Sequence, residues 1–164
     1  EVVHYAITAM VELSKEYDYR LQKIEKKYTN DPDDPVVLEE YCDFLKEYLS
    51  QGFMEKQMEQ IYRNQYTQLL LKQLEQKVNL HTCVCLMENL MVQRDFFLAE
   101  KILKIMDQNW HRGEEYWIWK IRYLAERKMG KELKQSLQAL KEEHIYLSSR
   151  GKEALGFWLD GSKK

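Results

Sequence analysis

Hydrophobic positions recur at helical spacing along most of this chain. In the first segment the spacing alternates between four and three residues, which places one apolar stripe on a helix expected from Val3 to Tyr28. We predict that this long N-terminal helix, residues 1–29, packs against the next element, and a self-pairing coiled-coil seam stays open as the alternative. The stripe consists of Val3, Ile7, Met10, Ser14, Tyr17, Leu21, Ile24 and Tyr28.

A break rich in Asp and Pro follows this helix, at residues 30–35. Proline cannot continue a helix but suits its first turn, and a preceding Asp can cap that turn. We therefore expect a second helix to begin at Pro35.

From Leu80 onwards the apolar pattern repeats every 34 residues. With Leu80 as position 1, apolar residues fall at positions 4, 7 and 11 of one helix and at 20, 24 and 27 of a second. In the first repeat these positions are Cys83, Leu86, Leu90, Ala99, Leu103 and Met106. In the next repeat, which starts at Glu114, they are Trp117, Leu124, Leu133, Leu137 and Leu140. Position 7 of that repeat is the polar Lys120, and the apolar Ile121 lies beside it. Turns are expected at residues 93–95 and 129–131.

The same register extends in both directions. A last helix, capped by Ser148 or Ser149, is expected to bury Ala154, Leu155 and Trp158 against the final repeat. Backwards, Pro35 serves as position 1, and the predicted interior residues are Leu38, Tyr41, Leu45, Met54, Met58 and Ile61, across a turn at 51–53. Pro35 and Leu80 are 45 positions apart, so we predict a second helix longer by about three turns that continues through Tyr62, Tyr66, Leu69 and Leu70.

The 34-residue period, with Trp117 at position 4 and Ala99 at position 20, resembles the tetratricopeptide repeat. That resemblance implies an all-α, right-handed αα-hairpin solenoid over 35–160, with repeats at about 35–78, 80–112 and 114–146 and a capping helix at 148–160. The chain departs from the family at position 8, where Cys42, Met87 and Ile121 replace a small residue, and at position 32, where His111 replaces Pro. Another αα-hairpin array therefore stays open.

A narrower resemblance is to the PelE family, tetratricopeptide-containing inner-membrane components of Pel exopolysaccharide synthesis. It rests on the long first helix, the Asp-Pro break, the extended repeat, the Trp-rich helix, the segment Phe97–Leu103 and the final segment Leu147–Trp158. The resemblance implies a membrane anchor before Glu1 and a cytoplasmic scaffold role beside a cyclic-di-GMP receptor, a glycosyltransferase and a transporter-like subunit.

Composition narrows the function classes. A net charge of −2 and a pI of about 6.2 do not favour a nucleic-acid footprint. Three cysteines, an odd number, favour a reducing compartment over a disulfide framework, so we expect a cytoplasmic location. Because the chain begins at Glu1 without Met, a membrane tether upstream stays open.

The clearest candidate for chemistry is His81-Thr82-Cys83-Val84-Cys85. On a helix Cys83 and Cys85 diverge by about 200°, so they cannot clamp one zinc ion, and core burial is the expected role. The acid pairs Glu114-Glu115 and Glu142-Glu143 suit helix ends, and neither His111 nor His144 has a visible nucleophile as partner. We predict no enzyme activity, cofactor, metal site or small-molecule substrate. Trp117 and Trp119 also diverge, so one is expected inside and the other is a candidate exposed anchor.

We therefore expect a scaffold that binds a protein partner, with an amphipathic helix or extended peptide lying along the first helix of each repeat. Positions 2, 5, 9 and 12 share one helical face. The predicted contact residues are Val36, Glu39, Asp43, Lys46, His81, Val84, Glu88, Met91, Glu115, Ile118, Arg122 and Ala125. A helical-repeat scaffold for RNA processing or other nucleic-acid handling is the alternative function, and self-association through the first helix is a further possibility.

Overall fold

Helices make up all the regular secondary structure in residues 1–161, the part of the chain that this computed structural model describes, which confirms the all-α class. The chain divides into two compact units, Glu1–Val78 and Asn79–Lys164. Unit 1 contains α1 (Val2–Asn30), α2 (Pro35–Ser50) and α3 (Lys56–Gln76). Unit 2 contains α4 (Leu80–Gln93), α5 (Phe96–Trp110), α6 (Glu114–Glu126), α7 (Gly130–Glu142) and α8 (Ser149–Gly161).

In unit 1, α2 lies between α1 and α3 and packs on both. It begins at Pro35 as predicted, because the Asp34 side chain accepts a hydrogen bond from the Val36 N–H at 2.9 Å and caps the first turn. The next turn is at residues 51–53, where Gly52 takes a φ of +74°. A left-handed residue is easiest for glycine, so this turn is encoded locally.

The predicted stripe of α1 is buried only in its second half. Tyr17, Leu21 and Ile24 are buried. In contrast Val3, Ile7 and Met10 are 72%, 56% and 54% exposed, so the expectation that the whole stripe packs on the next helix is wrong for them. The reason is length, since α1 has 29 residues and α2 only 16.

The apolar face of α3 is displaced along the chain from the predicted one. Met54 precedes the helix, and Met58 and Ile61 are 42% and 57% exposed, so their predicted burial is wrong. The buried residues of α3 are Tyr66, Thr67, Leu69, Leu70 and Leu74. The helix is elongated as predicted, but its later turns form the core.

In unit 2, α4 packs on α5 and α6, while α6 also packs on α5, α7 and α8. The predicted interior residues are buried at Cys83, Leu86, Leu90, Ala99, Leu103, Met106, Trp117, Ile121, Leu124, Leu137, Leu140 and Leu155. Leu133, Ala154 and Trp158 are only half-buried. The core therefore follows the 34-residue register closely within this unit.

The two hairpin turns of unit 2 are alike. Each contains one left-handed residue, Arg94 with φ 58° and Lys128 with φ 54°. The second turn is therefore at Lys128, and Gly130 already belongs to α7, so the predicted turn at 129–131 lay too far along the chain. The error arose because a glycine is the usual marker of a left-handed helix end, and here a lysine takes that role.

Candidate partner-binding surfaces

The exposed face of α4 carries the four residues predicted from its sequence. His81 and Glu88 are exposed, and Val84 and Met91 are half-buried. The opposite face, with Cys83, Leu86 and Leu90, is buried in unit 2. These four residues therefore form a mixed polar and apolar row along α4.

The adjacent helix α6 contributes less than predicted. Glu115, Arg122 and Ala125 are half-buried and accessible in part. Ile118 is 2% exposed, so it cannot line an open surface and its predicted role is wrong. The physical reason is that α6 packs on four other helices, which covers most of its circumference. We call the remaining seven residues of the two helices the α4–α6 row.

Two tryptophans of α6 are both inside unit 2. Trp117 is 1% exposed and Trp119 is 7% exposed, so the predicted exposed anchor is absent at these positions. Helical spacing does point them in different directions, but packed helices lie on both sides. The guanidinium of Arg122, a residue of the α4–α6 row, lies 5.1 Å from the centre of the buried Trp119 ring, a cation–π contact.

One end of the α4–α6 row is joined to α8 by carboxylates. Glu114 accepts hydrogen bonds from the Ser148 backbone N–H at 2.7 Å and from the Ser148 hydroxyl at 2.8 Å. The backbone bond in particular lowers the pKa of Glu114. Ser148 caps α8 through the Gly151 N–H, and a Cβ on Gly151 would collide with the Glu114 carboxylate. Arg150 forms an ion pair with Glu115.

In unit 1 the predicted residues lie on the exposed side of α2. Val36, Glu39 and Asp43 line an open cleft of about 560 Å³ between α1 and α2, and Lys46 is exposed outside the cleft lining. The opposite wall, which the sequence did not suggest, is basic and consists of Arg20, Lys23 and Lys27. Its charges complement the acidic wall of α2.

Two ion pairs cross this cleft. Arg20 Nη2 lies 3.2 Å from Glu47 Oε2, and Lys27 Nζ lies 3.2 Å from Glu40 Oε1. Tyr17 also donates a hydrogen bond to Glu47 at 2.9 Å, and this bond is the main cause that lowers the Glu47 pKa. The cleft is therefore bound together by its own charges.

Cys83 and Cys85 are part of the core of unit 2, as the sequence predicted. Cys83 and Cys85 are both buried on different sides of α4, and burial raises the pKa of Cys83 to about 11. His81 Nε2 lies 3.6 Å from the Cys85 Sγ, the pair that shares a face. Residues 1–161 contain no group of three His, Cys, Asp or Glu side chains arranged to hold a metal ion.

His111, for which the sequence indicated no partner, contacts two carboxylates in the structure. His111 Nε2 lies 2.7 Å from Glu143 Oε2, and Nδ1 contacts Asp107. These hydrogen bonds, with Asp107 first, raise the His111 pKa. The arrangement joins the ends of α5 and α7 and positions no nucleophile.

A third surface is the cleft between α5 and α6, with a volume of about 340 Å³. Lys104, Lys120 and Arg127 surround it, and its lining includes Tyr116 and Tyr123. Both tyrosines are buried, and the Lys120 ammonium and the Arg127 guanidinium lie over the Tyr116 and Tyr123 rings, 5.4 and 5.7 Å from their centres. The lining also includes Glu100 and Asp107, so the cleft carries both signs of charge with one more base than acid.

Comparison of the chain with protein-family models, curated proteins and solved structures finds no match. Among residues 1–161 there is no helix both long and apolar enough to cross a bilayer. The described residues form an all-α protein of packed helices with candidate binding surfaces in each unit.

Proposed function

We propose that this chain is a non-catalytic scaffold whose helix pairs stack as a tetratricopeptide-like, right-handed solenoid and bind a protein partner. Unit 2 supports the stacking by its spacing. α4 and α6 begin at Leu80 and Glu114, and α5 and α7 begin at Phe96 and Gly130, so both helices of the pair recur after 34 residues. That is the length of the family's repeat.

The turns support the same period at the level of hydrogen bonds. The Arg94 N–H donates to the carbonyl of residue 91, and Lys128 donates to that of residue 125. The residues that follow, Asp95 and Met129, donate to the carbonyls of residues 90 and 124. Every donor and acceptor in the second turn is 34 positions after its counterpart, as expected for a repeated Schellman turn.

Contact between equivalent positions supports stacking of successive repeats. Glu114 and Ser148 both stand at position 1 of the 34-residue register, and they are joined by two hydrogen bonds. In a stacked array each repeat contacts its neighbour along corresponding helices, so equivalent residues come close together.

The observation that carries the binding proposal is the α4–α6 row. Its seven residues remain at least partly accessible on two helices that pack side by side. Their chemistry is mixed, with Val84 and Met91 as apolar contacts and Glu88 and Arg122 as opposite charges. A partner helix or extended segment with one apolar edge and charges of both signs would complement them.

We further propose that the partner belongs to a membrane-associated assembly such as Pel exopolysaccharide synthesis, with this chain on the cytoplasmic side and tethered by sequence outside it. The support is the order of elements: the 29-residue α1, the Asp-Pro break and the elongated 21-residue α3 ahead of the Trp-rich α6. This part of the proposal rests on the sequence resemblance.

The test is affinity capture of the assembly's cytoplasmic proteins with Val84→Glu combined with Arg122→Glu. We expect capture of the cyclic-di-GMP receptor, glycosyltransferase or transporter-like subunit to fall at least about tenfold, since a charge is introduced and another reversed in a contact patch. The matched control is Val92→Glu with Arg127→Glu, the same changes at an exposed residue of α4 and at the exposed residue that directly follows α6, both outside the row. Equal capture by both double variants would remove the binding site from the α4–α6 row.

Three basic side chains in the α5–α6 cleft motivate the alternative, a scaffold for RNA. Lys104, Lys120 and Arg127 line this cleft and would supply the cations that neutralise phosphates, while Glu100 and Asp107 in the same lining would oppose an RNA backbone. A filter-binding titration with single-stranded RNA at low salt tests it, and the alternative expects affinity that falls steeply as salt rises. Absence of binding at low salt would remove it.

A further inference from the structure

The first half of α1 lies outside the packed body of unit 1. Every residue from Glu1 to Leu13 is exposed, although the segment is helical. α1 is 13 residues longer than α2, and at 1.5 Å per residue the excess amounts to roughly 20 Å of helix. A helix of this length with large apolar side chains in solvent is unusual, because contiguous exposed apolar surface commonly marks an interaction site.

The exposed residues continue a register that is already used for packing. Tyr17, Leu21 and Ile24 are the buried part of the stripe, and Tyr17 lies among the rings of Phe44 and Tyr48 in α2. Val3, Ile7 and Met10 occupy the same stripe with the same four-and-three spacing. The protruding half of α1 therefore presents a helix-packing seam with no helix on it.

The flanks of the seam differ between the two halves. Beside the buried part stand charged residues that bind α2: Arg20 pairs with Glu47, Lys27 pairs with Glu40, and Asp18 accepts a hydrogen bond from Tyr48. Beside the exposed part the corresponding positions are His4, Ala6, Val11 and Leu13. This half therefore suits a partner that needs no ion pairs.

A second copy of the same helix is such a partner. Residues 2–11 contain no carboxylate, lysine or arginine, so two identical segments can approach without like-charge repulsion. The first charges beyond them, Glu12, Lys15 and Glu16, lie on the side of the helix away from the seam. We infer that the N-terminal half of α1 is a self-association surface, where two copies pair their Val3–Ile7–Met10 seams.

The pairing is antiparallel. The packed body of each unit 1 begins near Tyr17, so a parallel pair would bring two bodies together at the same end, whereas an antiparallel pair places them at opposite ends. Each Ile7 then faces the partner's Met10, and the contact has the self-complementary form of a two-fold dimer. A contact of fewer than two heptads is small beside the roughly 800 Å² per partner of standard interfaces, so the dimer is weak.

The experiment is sedimentation equilibrium of the whole chain from about 10 µM to about 1 mM, a range suited to weak association. We expect the wild type to pass from monomer to dimer. Ile7→Glu with Met10→Glu should weaken the dimer at least about tenfold, because it buries four carboxylates in the paired seam. Tyr5→Glu with Thr8→Glu adds the same charge outside the seam and should leave the dimer intact.

Circular dichroism completes the test, since the changed residues have no packing role in unit 1 and the helix content should stay equal in all variants. A wild type that remains monomeric throughout overturns the inference, as does a dimer unaffected by the seam carboxylates. A monomer that instead binds phosphatidylglycerol vesicles through these residues also overturns it and assigns the segment to a lipid surface.

Discussion

The two units are both made of packed helices, yet their cores are of different kinds. In unit 1 the rings of Tyr17, Phe44, Tyr48 and Phe53 contact one another around α2, with centroids 5.0 to 6.0 Å apart. Unit 2 instead buries rows of aliphatic residues at 34-residue intervals around one aromatic helix, α6. A repeat requires side chains of similar size at equivalent places, whereas an aromatic cluster fills one particular space.

This difference explains why the buried positions follow the 34-residue period in unit 2 but only in part in unit 1. Unit 2 repeats both its helix starts and its turn hydrogen bonds, so each hairpin presents a similar face to the next. α3 and α1 of unit 1 are longer than the helices of unit 2 and bury only part of their length.

The largest effect is expected at Trp117, the central side chain of unit 2. It is 1% exposed, and its Nε1 donates a hydrogen bond to the His111 carbonyl at 2.7 Å. Trp117→Ala should lower the free energy of unfolding by about 3–5 kcal/mol, since it leaves a large cavity. The measurement is urea unfolding followed by fluorescence of the other tryptophans, which all lie in unit 2.

A matched aromatic control is available for that change. Phe97 on α5 is 72% exposed, so Phe97→Ala should change the free energy of unfolding by less than about 0.5 kcal/mol. A loss below about 1 kcal/mol for Trp117→Ala would mean that α6 is not the centre of this core.

The next effect is expected at Glu114, which joins the first turn of α6 to the residue that caps α8. Glu114→Ala removes two charge-assisted hydrogen bonds to Ser148 and should cost about 1.5–3 kcal/mol. Ser148→Ala removes only the hydroxyl bond and the cap of α8 and should cost less, about 1 kcal/mol. The measurement is the free energy of unfolding in urea. If Glu114→Ala and Ser148→Ala lowered it equally, the hydrogen bond from the Ser148 backbone N–H to Glu114 would contribute nothing to stability.

The same carboxylate gives unit 2 an acid-sensitive link. The Ser148 backbone N–H lowers the Glu114 pKa from its usual 4.5, so the folded state holds this proton less tightly than the unfolded chain. The stabilisation is therefore complete above about pH 4.5 and is lost as the pH falls through the lowered pKa. Urea midpoints from pH 6 to pH 3 should fall more in the wild type than in Glu114→Gln.

A smaller effect of opposite sign is expected at His111. Asp107 and Glu143 raise its pKa above 6.5, so the folded state holds the proton more tightly than the unfolded chain. The stabilisation is present below pH 6.5 and disappears as the pH rises through the raised pKa. His111 is 40% exposed, so the loss should be at most about 1 kcal/mol. His111→Asn should remove this dependence, and an unchanged pH profile would contradict the role.

A gain in stability is expected at the repeated turn. Lys128 takes a left-handed φ of 54°, which costs a residue with a Cβ about 1 kcal/mol or more. Lys128→Gly should therefore raise the free energy of unfolding by about 0.5–1 kcal/mol, after the greater flexibility of glycine in the unfolded chain is subtracted. Lys131→Gly, in the first turn of α7 without a positive φ, should give no gain. Thermal unfolding of the two variants separates the outcomes.

The sequence predicted those features that one helix decides by itself. Its spacing located the buried face of α4 and the cap at Asp34, because both depend on neighbours a few positions away. The predicted exposure of Ile118 and Trp119 was wrong, because helical spacing gives the direction in which a side chain points but not the number of helices that surround α6. The bonds of Glu114 and the Arg20 side of the cleft were missed because they join separate helices.

The smallest effect is expected where the 34-residue register was wrong. Ile61 and Met106 both stand at position 27, but Ile61 is 57% exposed and Met106 is fully buried. Ile61→Ala should change the free energy of unfolding by less than about 0.5 kcal/mol, whereas Met106→Ala should cost about 2–5 kcal/mol. Hydrogen exchange in α3 and α5 measures each locally. If Ile61→Ala destabilised α3 as strongly as Met106→Ala destabilises α5, unit 1 would share the register of unit 2 after all, and the contrast between an aromatic cluster and a core with a 34-residue period would fail.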